Sequence, residues 1–200
     1  MNKIGIFGGS FNPVHNTHIN IALTFVNQLN LSKCLLIPTN ISPFKLESKD
    51  SNFFTVEQRL DMLNLAIKNI PKLEIDDYEI KRQEISYTYK TIKYLEQKYP
   101  NDVLYLLIGT DQAINLKKWR KWDYILEKVQ LCIVERANVQ SDLNNLNNEL
   151  KYREKIPIII NFPKNSISST LIRQLIKEKK DLNDLVPYRV KEYIYKLFNY

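Results

Sequence analysis

Six short apolar runs recur along this chain with amphipathic segments between them, and that alternation restricts the fold more than any other feature. The runs are Lys3–Phe7, Lys33–Pro38, Leu73–Ile80, Val103–Ile108, Val129–Val134 and Pro157–Phe162. They are continuous and rich in Ile, Val and Leu, as strands covered on both faces are. Ile19, Ala22, Leu23 and Val26 form one helical stripe; Leu60, Leu63, Ala66, Ile67 and Ile70 form another, opened by a capping box of Thr55 and Gln58. Val186-Pro187 followed by Tyr188 to Ile194 reads as a closing helix. The alternation predicts an α/β fold, a Rossmann-like parallel sheet with flanking helices that binds ligands beyond the carboxyl ends of its strands. At 200 residues, 44% of them hydrophobic, the expectation is a single domain over residues 1–200. The stretch from Asn138 to Lys155, rich in Asn with Leu143, Leu146 and Leu150 at helical spacing, reads as a surface helix or loop.

Composition narrows the class further. The longest strongly apolar run, Val103 to Ile108, is too short to cross a bilayer, and the N-terminus enters its first strand without a signal-peptide pattern. A cytoplasmic location with no membrane partner is expected. Cys34 and Cys132 stand in separate apolar segments, as buried thiols in a reducing compartment do. The net charge of +7 raises the question of a nucleic-acid partner. The densest cluster, Lys117-Lys118-Trp119-Arg120-Lys121-Trp122, mixes cations with aromatics and could clamp single-stranded RNA. Elsewhere Lys and Glu interleave, as along Ile176 to Asp181. That scatter favours solvated faces with a few cations kept for small phosphates, and no nucleic-acid partner is expected.

The chemistry concentrates in two stretches. In the first, Ile4 to Phe7 runs into Gly8-Gly9-Ser10-Phe11-Asn12-Pro13 and then His15 and His18. Glycines can adopt backbone angles closed to other residues and let the main chain approach a ligand, while Ser10 adds a hydroxyl. His15 and His18, three residues apart at a helix mouth, leave the same face, where free N–H groups already favour phosphate. Zinc ligation is a weaker reading, because no HExxH is present and both cysteines are distant; a Walker loop is excluded, because no Gly-Lys-Ser/Thr follows the glycines. An ordinary glycine turn bearing surface histidines also stays open. The second stretch, Ser166-Ile167-Ser168-Ser169-Thr170-Leu171-Ile172-Arg173, follows a strand and opens a helix. Its hydroxyls suit a helix cap or a phosphate, and Arg173 offers a guanidinium fork to the same anion.

Together the two stretches resemble the nucleotidylyltransferase superfamily, with its (H/T)xxH near the N-terminus and ISSTxIR near the C-terminus. Intermediate segments narrow the resemblance to bacterial nicotinate mononucleotide adenylyltransferases. These are Asn40-Ile41-Ser42-Pro43-Phe44-Lys45, Thr55 to Leu60, Ser86-Tyr87-Thr88, Ile108-Gly109-Thr110-Asp111, Trp119-Arg120 and Leu185-Val186-Pro187. Three positions depart from that family's pattern. Thr17 stands where glycine is usual, Phe44 where a histidine is common, and Arg120 where an aromatic often follows the tryptophan.

The resemblance implies transfer of AMP from ATP to nicotinate mononucleotide, releasing pyrophosphate and giving deamido-NAD. It assigns His18 to the α-phosphate in the transition state, His15 to the phosphate chain, and Ser168, Ser169, Thr170 and Arg173 to the triphosphate. Gly8, Gly9, Ser10, Phe11, Gly109, Asp111 and Arg136 complete the ATP side, with Asp111 on a ribose. Trp119 would face the pyridine ring, Thr88 and the Arg120 backbone N–H the acceptor's carboxylate, and Lys45 its phosphate. Magnesium is expected as a cofactor held mainly by ATP phosphates and water, with no protein ligands. Rival readings are a related transferase using nicotinamide mononucleotide or phosphopantetheine, and a non-catalytic nucleotide- or RNA-binding module.

Overall fold

The computed structural model describes residues 1–44, 53–134, 156–163 and 166–199. In chain order its elements are β1 (Lys3–Gly9), α1 (Asn16–Leu29), β2 (Lys33–Pro38), α2 (Val56–Ile67), β3 (Leu73–Ile75), α3 (Tyr78–Lys81), α4 (Thr88–Lys98), β4 (Val103–Gly109), α5 (Thr110–Ile114), α6 (Trp122–Lys128), β5 (Gln130–Val134), β6 (Ile158–Ile160), α7 (Ser169–Lys177) and α8 (Tyr188–Phe198). A 3-10 turn at Leu116–Lys118 joins α5 to α6. All strand pairs are parallel and the order is β3-β2-β1-β4-β5-β6, the Rossmann-like arrangement that the alternation predicts. Among the described residues no helix is long and apolar enough to cross a membrane.

The strands read as unbroken apolar runs because each face of the sheet is covered. Phe7, Leu36, Leu107 and Val134 point to one side, against Phe25 of α1, Met62 of α2, Ile172 of α7 and Ile194 of α8. Ile6, Leu35, Leu106 and Ile133 point to the other, against Ile92 of α4 and Ile125 of α6. Alternate strand residues thus serve opposite cores. Cys34 and Cys132 lie buried in β2 and β5 as free thiols. Burial pushes both thiols up, that of Cys132 to about 12, which keeps them protonated. The last helix docks on α2: the Tyr193 hydroxyl donates to Asp61 at 3.1 Å, and the Phe198 ring stacks on Phe53.

Three predicted elements are corrected. The run Leu73–Ile80 is a strand only as far as Ile75, because Asp76 turns the chain. Its N–H donates to the Leu36 carbonyl, while one carboxylate oxygen accepts the Tyr78 N–H at 3.1 Å and the other accepts Lys98 at 2.8 Å. This local side-chain turn competes with the ladder, and Ile80 joins the short helix α3. In α2 the Thr55–Gln58 capping box is present, but the inward stripe is Arg59, Met62, Leu63 and Ala66, and Leu60 is only half-buried. A charged residue takes an inward slot there, for the reason given below. The strand predicted over Pro157–Phe162 is paired only at Ile158–Ile160. The stretch from Asn138 to Lys155, with its three leucines, lies outside the described residues.

β1 runs down the centre of the sheet, and α1 crosses it closely at Gly5. A Cβ there would lie 2.7 Å from Leu31 Cδ1 and 2.8 Å from Phe25 Cε1, both fully buried. Gly5→Ala therefore overpacks the core and is expected to destabilise the fold by about 1–3 kcal/mol. Urea unfolding followed by circular dichroism checks this. A midpoint equal to that of the parent would show that α1 is free to shift.

Candidate active site

Strands β1 and β4 are neighbours, yet the chain leaves them toward opposite edges of the sheet, so their carboxyl ends frame a crevice. Gly8 and Gly9 close β1, and Gly109 closes β4 at the cap of α5. All three line a cavity of about 540 Å³, within the range of small-molecule sites.

No glycine of the turn adopts a positive φ. The left-handed angle, φ 44°, falls on Phe11 instead. The glycines still belong to β1, so what they supply is room. A Cβ on Gly9 would meet the Phe11 ring at 3.2 Å, and Gly8 has open space on its missing-side-chain side, with only the Ile37 carbonyl 3.9 Å away. Phe11 is held in its unusual angle by burial, edge-on to Phe7 at 5.7 Å and to His18 at 5.0 Å.

His15 is the N-cap of α1 and His18 follows one turn in, their rings stacked with centroids 3.6 Å apart. Both line the cavity, His15 buried and His18 half-buried. The His15 backbone N–H donates to His18 Nδ1 at 3.3 Å, which leaves Nε2 as the proton-bearing nitrogen of a neutral His18. Thr17 between them is buried in regular helix, so the residue standing in place of glycine leaves the backbone of α1 undisturbed.

The irregular loop between β1 and α1 is held by side chains from far along the chain. Arg59, 4% exposed, donates to the Ser10 carbonyl at 2.7 Å and to the Asn40 carbonyl at 3.5 Å. Arg173 donates to the Asn12 carbonyl at 2.9 Å, and Ser169 to that of Pro13 at 2.9 Å. The Asn12 side chain accepts the Phe54 N–H, and the Asn16 N–H donates to Leu185. Arg59 was not anticipated as a site residue. Its sequence signals are its place in the Thr55 to Leu60 segment and its phase, in register with Met62, Leu63 and Ala66.

Of the residues expected on the ATP side, Gly8, Gly9, Ser10, Phe11, Gly109, Asp111, Ser168 and Ser169 line the cavity, Asp111 at its exposed rim. Ser168 caps α7 by accepting the Leu171 N–H at 3.2 Å. Thr170 and Arg173 do not line it; Arg173 also donates to the Thr170 hydroxyl, and the pair braces α7 against the loop. Arg136 and Lys45 lie outside the described residues.

The opposite wall holds the expected acceptor residues Thr88, Trp119 and Arg120. Trp119 also packs on the core of α4 and α6, so it serves both packing and surface. Among the described residues, neither the Thr88 hydroxyl nor the Arg120 backbone N–H has a hydrogen-bond partner. Behind them Ser86 accepts the Asn40 N–H at 3.0 Å, and buried Glu79 accepts the Thr91 hydroxyl at 2.6 Å. Burial pushes the Glu79 carboxyl above its ordinary range, against the pull of the Thr91 and Ser86 hydroxyls.

A crevice with a glycine strand end, paired histidines and a capped helix on one side, and hydroxyl and indole on the other, is the geometry of a nucleotide-transferring enzyme. Residues 6–175 match the cytidylyltransferase-like family. A probable nicotinate-nucleotide adenylyltransferase of Carboxydothermus hydrogenoformans is 38% identical over 195 residues, covering 96% of this chain and 94% of its own. The nicotinate-nucleotide adenylyltransferase of Bacillus subtilis is 36% identical over 195 residues, covering 97% and 96%. The fold is shared with the solved Plasmodium falciparum nicotinic acid mononucleotide adenylyltransferase complexed with NaAD, at a TM-score of 0.77 and 23% identity over 100% of this chain and 98% of that one. This chain belongs to the nicotinate-nucleotide adenylyltransferase family.

The buried Glu79 makes stability depend on pH with a definite sign. Below the ordinary carboxylate range, near pH 4, both folded and unfolded chains hold the proton. As pH rises, the unfolded chain releases it first, so the folded state loses stability until its own raised pKa is passed. Glu79→Gln removes that loss, and the Tm of the variant relative to the parent is expected to climb between pH 4 and pH 7. Thermal melts across that range check it, and a constant difference would refute it.

Proposed function

We propose that the chain transfers AMP from ATP to nicotinate mononucleotide, giving deamido-NAD and pyrophosphate. The observation that carries this reading is that one cavity holds the stacked His15–His18 pair at one end and Thr88 with Trp119 at the other. A nucleotide and a flat carboxylated ring can thus meet across the β1–β4 crevice. The relatives' names supply the same pairing.

In this reaction an oxygen of the acceptor's phosphate forms a bond to the α-phosphorus of ATP as the bond to the bridging oxygen of pyrophosphate breaks. With a second pKa of about 6, that phosphate is largely dianionic at neutral pH and needs no general base. The task left to the protein is to align two anions and to stabilise charge on the α-phosphoryl oxygens. His18, with its proton on Nε2, donates to those oxygens, and His15 fixes its tautomer through the main chain. Ser168 and Ser169 stand at the N-terminus of α7, where backbone N–H groups favour phosphate. Arg173, donating to the Asn12 carbonyl and to the Thr170 hydroxyl, holds that terminus to the loop. Lys45 and Arg136 are assigned to the acceptor's phosphate and the nucleotide on the resemblance alone.

Magnesium suits this site as an ion carried by ATP. The described carboxylates lining the cavity are Asp111 and Glu79, and Glu79 is engaged with Thr91, so Asp111 is left for a ribose hydroxyl or metal-bound water. The ion neutralises the triphosphate when bound.

His18→Ala is expected to lower kcat by on the order of a hundredfold while ATP affinity stays within a few-fold, because the donor acts on charge that develops in the transition state. Pyrophosphate release and ATP titration measure the two; turnover close to the parent's would remove His18 from the mechanism.

The parent is expected to prefer the nicotinate over the nicotinamide mononucleotide, since a carboxylate accepts from both the Thr88 hydroxyl and the Arg120 N–H, whereas an amide brings N–H groups toward a donor. Thr88→Val keeps the shape and should narrow the ratio of kcat/KM between the two. Equal use of both by the parent would sink the carboxylate reading.

A further inference from the structure

The Arg120 side chain stands at the acceptor end of the cavity in a way that its backbone role does not explain. Its guanidinium carbon lies 5.2 Å from the centroid of the Tyr87 ring and 5.8 Å from that of Tyr89, in a notch between two rings whose own centroids are 6.1 Å apart. Tyr87 and Arg120 both line the cavity beside Thr88 and Trp119. Cation–π contact with two neighbouring rings favours this placement of the planar fork and lowers the freedom it has to lose on binding.

Among the described residues no carboxylate lies within ion-pair distance of Arg120. Lys121 shares the Tyr89 ring at 5.0 Å, and Lys118 lines the same cavity. Clustered cations repel, and an anion placed among them relieves that repulsion. A pyridine carboxylate differs from its amide by one full negative charge at one point. Neutral donors such as the Thr88 hydroxyl read its shape, and a cation reads its charge.

We propose that the Arg120 guanidinium, propped on Tyr87 and Tyr89, receives the acceptor's pyridine carboxylate and selects the acid over the amide by charge. This rests on the acceptor being the one argued above. It makes the side chain, as well as the main chain, of Arg120 a specificity determinant, at a position where an aromatic is the more usual residue.

The test compares Arg120→Met, which keeps the stem and removes the charge, with Arg120→Lys, which keeps the charge and removes the fork. Binding of nicotinate and nicotinamide mononucleotides is measured by calorimetry, and turnover with each by pyrophosphate release. Arg120→Met is expected to weaken acid binding roughly five- to tenfold, the scale of a partly exposed charge contact, while the amide moves less than about twofold. Arg120→Lys should recover part of the loss, and added salt should weaken acid binding by the parent more than by Arg120→Met. Acid binding by Arg120→Met within about twofold of the parent, or equal losses for acid and amide, would overturn the proposal. If the parent binds the acid through Arg120 but releases no pyrophosphate with ATP, the proposed reaction falls and the charge reading stands. If the parent turns over the acid and Arg120→Met binds it normally, the reverse holds. Arg120 is exposed, so both variants should melt with the parent, and a thermal scan confirms that lost binding is not lost folding.

Discussion

Residues 10–15 carry the site without belonging to a helix or a strand, and everything else in the molecule is arranged to satisfy their main chain. Buried carbonyls left without donors are costly, and this loop has several. Arg59 of α2 answers for Ser10, while Arg173 and Ser169 of α7 answer for Asn12 and Pro13, all from far along the sequence. With these in place, Phe11 can stay in a left-handed angle beneath Gly9, and the two histidines can stack at the mouth of α1. The precision of the phosphate end is therefore a tertiary property.

Much of the architecture was nonetheless legible. Runs of Ile, Val and Leu long enough for strands but too short for buried helices, with stripes between them, specify a parallel sheet covered on both sides. The histidines at the mouth of α1, the Thr55 cap, Thr88 and Trp119 stand where their neighbours in sequence suggest, whereas Gly8 and Gly9 extend β1 and the left-handed angle falls on Phe11. Resemblance added the pairing of the two ends, which periodicity alone does not contain.

What was not legible depends on partners distant in sequence. Arg59 looks like a surface charge on a helix, and only the carbonyls of Ser10 and Asn40 make its burial sensible. Ile80 continues an apolar run, but the Asp76 side chain two residues before Tyr78 ends the strand. Glu79 lies in what reads as a strand and turns out to be a buried acid beside Thr91. Arg173 and Thr170 look like phosphate ligands by type, and the structure uses them first to brace α7. In each case a polar group is captured by a backbone or hydroxyl that local patterning does not reveal.

The guanidinium of Arg59 touches the loop that follows β1 and the loop that follows β2, and so belongs to both halves of the cavity. Neither carbonyl can leave without stranding a cation in the interior with fewer partners than it needs. The two loops accordingly share one opening free energy instead of fluctuating separately. The Ser86 hydroxyl, accepting the Asn40 N–H at 3.0 Å, extends the same tie from the loop after β2 to the chain that enters α4.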